Sequence, residues 1–382
     1  MRTDRGIGQD HLTLTEKLTL VSWPFLLLLV MVAGVGFISL YSAANGNVDP
    51  WAGKQAVRFG IGLCGLVIVA LVDIRVWLKL AYPIYTLCLL LLVYVDIRGH
   101  IGMGAQRWLN LGFLQLQPSE MMKIASLLAL ARFFHGSTAE DLRNPLFLLA
   151  PLGIALLPVI LVLLQPDLGT AMTILMAAAA IFFLAGVSYW IFSVVIAGGL
   201  SLLPAAWHFL HAYQKKRILV FIAPESDPLG AGYHISQSKI ALGSGGITGK
   251  GFLQGSQSRL DFLPEKHTDF IFTLFTEEWG LIGGISLMAL FAMIIAYGYF
   301  IALNCQSQFA RLLSMGVVIN FFIYIFINMG MVMGLLPVVG VPLPMISYGG
   351  SAMLSVLFGF GLLMSAHVHR DVKLTRRGLD MA

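Results

Sequence analysis

The densest group of residues able to do chemistry is the segment FLPEKHTDFIF, residues 262–272, where ionisable side chains give way abruptly to apolar ones. Asp269 stands at this transition, shortly after Lys266 and His267. A carboxylate at the edge of an apolar slot tends to have a raised pKa, which suits a general base. An acid here would also cap the N-terminus of the following helix, where negative charge is favourable. From the residues alone, capping is the slightly stronger interpretation.

A helix that runs through Asp269 would give that residue a defined set of neighbours. Positions three and four apart share a helical face, so Thr273, Thr276 and Gly280 would continue from Asp269 as one stripe of polar and small side chains. The sequence therefore predicts a polar face at the start of a span, with Asp269 at its end.

A second group of candidate residues lies around residues 107–123. Pro118 is well placed to open a helix, and Glu120 and Lys123, three residues apart on one face, can then form an ion pair. Structural pairing is the stronger interpretation, since an isolated charge inside a span is costly. Upstream, Arg107 and Trp108 fit headgroup anchoring as well as they fit a substrate contact.

Two further segments interrupt apolar runs. The turn QPDLGT, residues 165–170, carries Asp167, which is placed either to line a site or to cap the next helix. Residues 334–351 contain Pro337, Pro342, Pro344 and repeated glycines, together with Ser347. Such backbone cannot continue a helix, and at membrane depth it is tolerated only where protein or a water-filled cavity covers it. We expect a re-entrant segment that lines a cavity.

The elements that position these residues are membrane spans. Of 382 residues, 58% are hydrophobic and 11% charged, and the apolar residues form long uncharged runs. Such runs predict an all-α polytopic membrane protein, a single domain over residues 1–382, because about 20 apolar residues cross a bilayer as a helix. About ten spans are expected, and their predicted starts are near Ser22, Val57, Trp77, Pro118, Pro145, Thr170, Tyr189, Phe270, Phe309 and Ala352.

The charged residues predict an orientation. Basic residues flank the first and last spans. We therefore expect the protein to lie in the bacterial inner membrane with both termini on the cytoplasmic side. Residues 211–268 then form a long extracytoplasmic loop between spans seven and eight. This loop carries Arg217, Lys239 and Lys266, which are either solvated charges or an anion-binding surface; charge alone does not decide between them.

Several other functions lack the motifs they need. The glycines at 243–255 do not form a phosphate-binding loop, because Ser244 and Gly251 stand where that motif requires Gly and Ser or Thr. The three cysteines lack metal-ligand spacing. The basic residues form no stripe suited to nucleic acid, so no nucleic-acid partner is expected.

These same segments resemble the FtsW, RodA and SpoVE family of bacterial shape, elongation, division and sporulation proteins. The resemblance covers nearly the whole chain in order: GAQRW (104–108), QPSE (117–120), QPDLG (165–169), residues 227–239, HTD (267–269), residues 328–340 and SYGGSA (347–352). Within the family, QGSQS (254–258) before FLPEK (262–266) is similar to the RodA, or elongation, branch.

The resemblance implies a peptidoglycan glycosyltransferase that polymerises lipid II at the outer membrane face during elongation and shape maintenance. It implies that Asp269 is catalytic, and that Arg107, Trp108, Glu120, Lys123 and Asp167 line the cavity. We also expect substrate contacts from the remaining candidates, namely Arg217, Lys239, Lys266, His267 and Ser347. No cofactor is certain, although a divalent cation (Mg²⁺ or Mn²⁺) would help to stabilise a diphosphate.

Family membership further implies partners: a class B penicillin-binding transpeptidase, other proteins of the elongation complex, and membrane lipid. Two rival functions remain at this stage. A lipid II flippase would need a cavity reachable from both leaflets, whereas a polymerase needs only the outer one. A non-catalytic scaffold would explain the spans but not an acid at the membrane edge.

Overall fold

A computed structural model describes residues 13–102, 105–110, 115–209, 215, 219–223, 227, 230–259 and 265–374. Among these residues, eight helices are long and apolar enough to cross a membrane. They are α2 (Trp23–Ala43), α3 (Ala52–Leu71), α4 (Ile74–Arg98), α6 (Pro145–Leu164), α7 (Leu168–Ala185), α11 (Ile271–Asn304), α12 (Gln308–Val332) and α13 (Gly350–Val368). A short helix, α1 (Leu14–Leu20), precedes them.

Helices also occupy the other two predicted span positions. Helix α5 (Pro118–His135) is long enough to span but carries three charged residues, Glu120, Lys123 and Arg132. Helix α8 (Tyr189–Phe209) has a shorter apolar stretch, Tyr189–Leu202. The all-α membrane fold is therefore confirmed, with helices at all ten predicted positions. The second and third predicted spans begin a few residues early, at Ala52 and Ile74.

The helices form a bundle around two central members. In α12 and α13, 83% and 78% of the residues in the apolar window are buried, against 28% in α3 and α4. In water such exposed apolar surface would be unfavourable, but lipid tails solvate it at no cost. The central pair thus packs against protein, while α3 and α4 present much of their surface to the bilayer.

Small elements connect the helices. Strands β1 (His100–Gly102), β2 (Ala105–Asn110) and β3 (Gln115–Leu116) form an antiparallel sheet in that order. Helices α9 (Ala231–Ser244) and α10 (Ser256–Arg259) lie in the predicted loop between α8 and α11. The Ser238 hydroxyl lies 2.8 Å from that of Thr273 and donates to the Val332 carbonyl, so α9 is fastened to both α11 and α12.

Helix α11 is broken at Gly280, whose φ of 66° and ψ of −163° are not helical. The segment 245–251 fills the break: the backbone N–H groups of Lys250 and Gly251 donate to the Glu277 and Glu278 carbonyls. On the other side, the N–H groups of Leu281 and Ile282 donate to residues 246 and 247. A break inside an apolar helix needs such partners, because lipid supplies none. We call residues 245–251 the glycine brace.

The bundle has two chemically different ends. One end gathers the sheet, the turn at 165–167, residues 265–270 and the irregular segment 333–349; we call it the Asp269 end. The other holds α1 and residues 305–307 and 369–374, where the Gln306 N–H donates to the Arg370 carbonyl. We call this the terminal end.

Candidate active site

Asp269 lies in a turn before α11, not on the helix. Residues 265–270 form this turn, which closes through hydrogen bonds from the Thr268 and Phe270 N–H groups to the Glu265 carbonyl. Helix α11 begins at Ile271 and has no side-chain cap. The N-cap position is Phe270, one residue after Asp269, and the Asp269 carboxylate is half-buried at the end of the bundle.

The predicted stripe of Asp269, Thr273, Thr276 and Gly280 is also wrong. Asp269 precedes the helix and Gly280 breaks it, so the four positions do not share one helical face. Thr273 and Thr276 are buried, and the Thr276 hydroxyl donates to the carbonyl of Phe272. The stripe is interrupted because the glycine brace supplies the backbone partners that allow α11 to break at Gly280.

The Asp269 carboxylate faces the irregular segment 333–349. A Cβ added at Gly340 would lie 3.4 Å from Asp269 Oδ2, which places the carboxylate directly beside this glycine. Gly340 has a φ of +74°, a conformation that favours glycine. The prediction that this proline- and glycine-rich segment is irregular is thus correct, and the segment forms one wall around the acid.

Lys266 and His267 occupy the same turn. Lys266 is 6% exposed. The His267 ring stacks on the Trp51 indole, with centroids 4.3 Å apart and planes at 9°. Burial lowers the pKa of His267, against the smaller opposing effect of Glu265. The stacked His267 ring braces the turn against Trp51 at the start of α3.

Ser347 is also close to this turn, but it is 2% exposed and its hydroxyl is occupied. The hydroxyl donates to the Thr268 carbonyl at 2.6 Å and accepts from the Leu343 N–H at 2.7 Å. Gln55 of α3 donates to the Ser347 carbonyl at 2.9 Å. These contacts make Ser347 a link between two segments, and they leave no hydroxyl exposed for a substrate.

Lys239 lies on the exposed side of α9. Its ammonium end is next to Gly334, since a Cβ at that glycine would stand 2.6 Å from Lys239 Nζ. The structure therefore brings Lys239 to the start of the irregular segment that also contacts Asp269. Arg217 lies outside the described residues.

Arg107 and Asp167 are brought together at the Asp269 end. Their charged groups lie 3.6 Å apart, and the Arg107 guanidinium also donates to the Gln165 and Pro166 carbonyls. Asp167 caps α7 by accepting from the Thr170 N–H at 3.1 Å, which confirms the capping interpretation of that acid. Trp108 follows on β2 and is partly exposed.

Glu120 and Lys123 form the ion pair that their spacing predicts, with a 2.7 Å separation. Both are buried, and the Tyr324 hydroxyl hydrogen-bonds to each of them. Ser355 of α13 donates to Glu120 at 3.4 Å. This network joins α5, α12 and α13 inside the bundle, so the pair holds three helices together.

The described residues contain no group of three or more His, Cys, Asp or Glu side chains able to hold a metal ion, so no metal-ligand set can be named from them.

Two structurally important residues, Asn328 and Glu277, were not predicted as site residues. Asn328 contacts the Asp269 turn from α12, and its only sequence signal was its position within the resembling stretch 328–340. Glu277 is fully buried and pairs with Lys250 at 2.7 Å, and its nearness to Asp269 in sequence was the available signal.

Fold and site together define a polytopic membrane protein with an acid held in a turn at one end of its helical bundle. A family model described as "Cell cycle protein", which covers FtsW, RodA and SpoVE, matches residues 17–372. The chain belongs to this family. It is 44% identical over 355 residues to the peptidoglycan glycosyltransferase MrdB of Escherichia coli K12, covering 91% of this chain and 94% of the relative.

Other relatives agree. The MrdB protein of Helicobacter pylori (strain ATCC 700392 / 26695) is 37% identical over 81% of either chain. A chain from a peptidoglycan synthase complex that coordinates polymerization and crosslinking superposes with a TM-score of 0.81 at 32% identity, covering 92% of this chain and 98% of the other. The rod shape determining protein RodA of Thermus thermophilus superposes with a TM-score of 0.69 at 29% sequence identity, again covering 92% of this chain and 98% of the other.

Proposed function

We propose that this protein is a peptidoglycan glycosyltransferase that polymerises lipid II, with Asp269 as its general base. The glycosyltransferase activity follows from the relatives, which share the fold over nearly the full length of both chains. The substrate and the role of Asp269 are what the family resemblance implies, and the position of Asp269 beside Gly340 supports that role. The elongation branch, and hence a role in cell shape, is supported by the match to MrdB and RodA.

In the proposed reaction, the 4-hydroxyl of the acceptor's GlcNAc attacks C1 of the donor's MurNAc. The Asp269 carboxylate takes the hydroxyl proton as the C1–O4 bond forms. The bond between C1 and the diphosphate oxygen breaks, and its electron pair leaves with undecaprenyl diphosphate. The proton on Asp269 then passes to solvent, which restores the carboxylate.

One observation carries this assignment: the Asp269 carboxylate is half-buried in a turn at the end of the bundle, beside Gly340. A carboxylate that is partly withdrawn from water but still reachable is well placed to take a proton from a bound hydroxyl. A glycine as neighbour leaves space that a side chain would fill. A carboxylate that merely capped a helix would need neither feature.

The departing diphosphate requires positive charge. Lys239 is exposed beside Gly334, at the start of the segment that also lies against Asp269, and it is the described cation that best fits this role. Lys266 adds charge within the turn itself. Arg107 is already paired with Asp167, which supports a role in shaping the wall of the site.

The proposed topology places both termini in the cytoplasm and the Asp269 end, with the loop 211–268, outside. The basic residues that flank the first and last spans support it. Cysteines introduced at Ser256 and at Lys373 would report it in intact cells. We expect an impermeant maleimide to label the first and not the second, and the reverse labelling would contradict the topology.

We also propose a partner, a class B penicillin-binding transpeptidase that cross-links the new strand. A similar chain is part of a complex that couples polymerization and crosslinking. Interaction with further proteins of the elongation complex and with lipid is expected from the same family membership.

The test is polymerisation of lipid II by the full-length protein with its transpeptidase partner, whose active-site serine is blocked. We expect glycan polymer from the wild-type protein and at least a 100-fold lower rate from Asp269→Ala and Asp269→Asn. Asp96→Ala is the matched control, because Asp96 is an exposed acid at the end of α4 and should not affect the rate. Normal polymerisation by Asp269→Ala would refute the assignment. Lipid II crossing vesicle membranes without polymer would instead indicate a flippase.

A further inference from the structure

Three successive backbone carbonyls in the turn that carries Asp269 accept hydrogen bonds from residues outside the turn. The His267 carbonyl accepts from the Tyr348 N–H at 2.8 Å, and the Thr268 carbonyl accepts from the Ser347 hydroxyl at 2.6 Å. The Asp269 carbonyl accepts from the Asn328 amide at 3.0 Å. Each of these three consecutive residues is thus bound by a different donor residue.

The donor side chains also bind the irregular segment. Asn328 lies in the central helix α12 and is fully buried, and its amide also donates to the Val341 carbonyl at 2.8 Å. Both amide hydrogens are therefore used, one on the turn and one on the irregular segment. Ser347 similarly binds the turn on one side and Leu343 on the other.

Asn328 thereby sets the distance between the two walls of the site. The Asp269 carbonyl and the Val341 carbonyl are fixed to the same amide nitrogen, and Val341 directly follows Gly340, which lies beside the Asp269 carboxylate. A single planar amide has little freedom when both of its hydrogens are bonded. The position of the acid relative to the segment opposite is consequently determined by α12.

From these contacts we infer that Asn328 and Ser347 are positioning residues for Asp269, which fix the catalytic turn through its backbone carbonyls. The inference rests on the proposed role of Asp269 as general base. Neither residue touches the substrate in this assignment: both are at most 2% exposed, and their bonds go to main-chain atoms.

The physical reason for such a clamp is the narrow tolerance of proton transfer. A base must lie within hydrogen-bond reach of the proton it removes, and a displacement of about 1 Å can cost roughly 100-fold in rate. A turn at the end of a bundle would otherwise move more than the helices it joins. The three bonds go to main-chain carbonyls and not to the carboxylate that reacts.

The experiment measures kcat and KM for lipid II with the full-length protein and its partner. Asn328→Ala and Ser347→Ala should each lower kcat about 10- to 100-fold and change KM less than about 3-fold. Ser347→Thr keeps the hydroxyl and should recover most of the loss. Asn320→Ala and Ser126→Ala are the controls, because both remove a buried polar group elsewhere in the bundle.

A second readout separates positioning from general stability. In an Asp269→Ala background, Asn328→Ala should cause no further fall in the residual rate, since there is no base left to position. Melting temperatures of Asn328→Ala and Asn320→Ala should both lie well above the assay temperature, so that neither loss of activity reflects unfolding.

Equal activity losses in the controls, or a full further loss in the Asp269→Ala background, would overturn the positioning role. If Asp269→Ala is inactive while Asn328→Ala and Ser347→Ala match the controls, only the clamp fails. If Asp269→Ala is active, the general-base proposal fails first, and the two results are therefore distinguishable.

Discussion

Lys250 of the glycine brace forms a 2.7 Å ion pair with Glu277, a fully buried carboxylate on the α11 segment before its break. The same Glu277 oxygen accepts from the Gln257 N–H at 3.0 Å and from the Ser256 hydroxyl at 3.2 Å. The glycine brace is therefore bound to α11 by an ion pair as well as by backbone hydrogen bonds. It connects the loop before α11 to the helix that follows Asp269.

The first prediction concerns this pair. Lys250→Met should lower the free energy of unfolding by about 2 kcal/mol or more, because it leaves a buried carboxylate without its counter-ion. The double variant Lys250→Met with Glu277→Gln should recover part of that loss. Thermal unfolding in detergent measures it, with the exposed Lys79→Met as control. An unchanged midpoint for Lys250→Met would show that the pair contributes nothing.

The second prediction concerns the wall beside the acid. Gly340→Ala places a methyl group 3.4 Å from Asp269 Oδ2 at a φ of +74°. It should cost about 1–2 kcal/mol in backbone strain and reduce kcat at least 10-fold by occupying space beside the carboxylate.

A matched glycine tests the second effect separately. Gly186 has a φ of +96° at the C-cap of α7, where an added Cβ meets only Leu142 at 3.7 Å. Gly186→Ala should therefore show a similar loss of stability with normal kcat. Equal kcat values for the two variants would mean that strain alone, and not the crowding of Asp269, governs the activity.

The third prediction concerns the buried pair of Glu120 and Lys123. Lys123→Met should lower the free energy of unfolding by about 3–5 kcal/mol, because the buried Glu120 loses its partner. Combining it with Glu120→Gln should restore most of the stability, as measured by unfolding in detergent. Should the double variant be as unstable as Lys123→Met, the cost would come from lost packing and not from the unpaired charge.

The fourth prediction concerns pH. Burial holds the pKa of His267 below its ordinary value of 6.5, although Glu265 acts to raise it. The unfolded chain then takes up protons more readily than the folded one, so stability is present above about pH 6.5 and falls as the pH drops below it. His267→Phe keeps a ring against Trp51 and removes the titration.

Melting temperatures at pH 7.5 and 5.5 provide the measurement. The difference between them should be smaller for His267→Phe than for the wild-type protein. His234 and His369 also have lowered pKa values through burial, so part of the pH dependence should remain. An identical difference in the two proteins would rule out His267 as a contributor.

The sequence by itself determined the class of fold and singled out Asp269 as the candidate acid. Long apolar runs must be helical in a bilayer, because only helices satisfy their own backbone groups there, and this predicted the positions of the ten long helices, α2 to α8 and α11 to α13. Local spacing was likewise sufficient to predict the Glu120–Lys123 ion pair and the capping of α7 by Asp167, since both contacts join residues three positions apart.

Only the tertiary structure decided where α11 begins and breaks, and what holds Asp269. The break at Gly280 needs backbone partners from residues 246–251, and the turn needs Asn328 and Ser347, which follow it by 59 and 79 residues. Helical periodicity describes neighbours within one element and contains no information about donors from distant segments. The sequence therefore predicts Asp269 as the candidate acid, and packing determines the geometry of that residue.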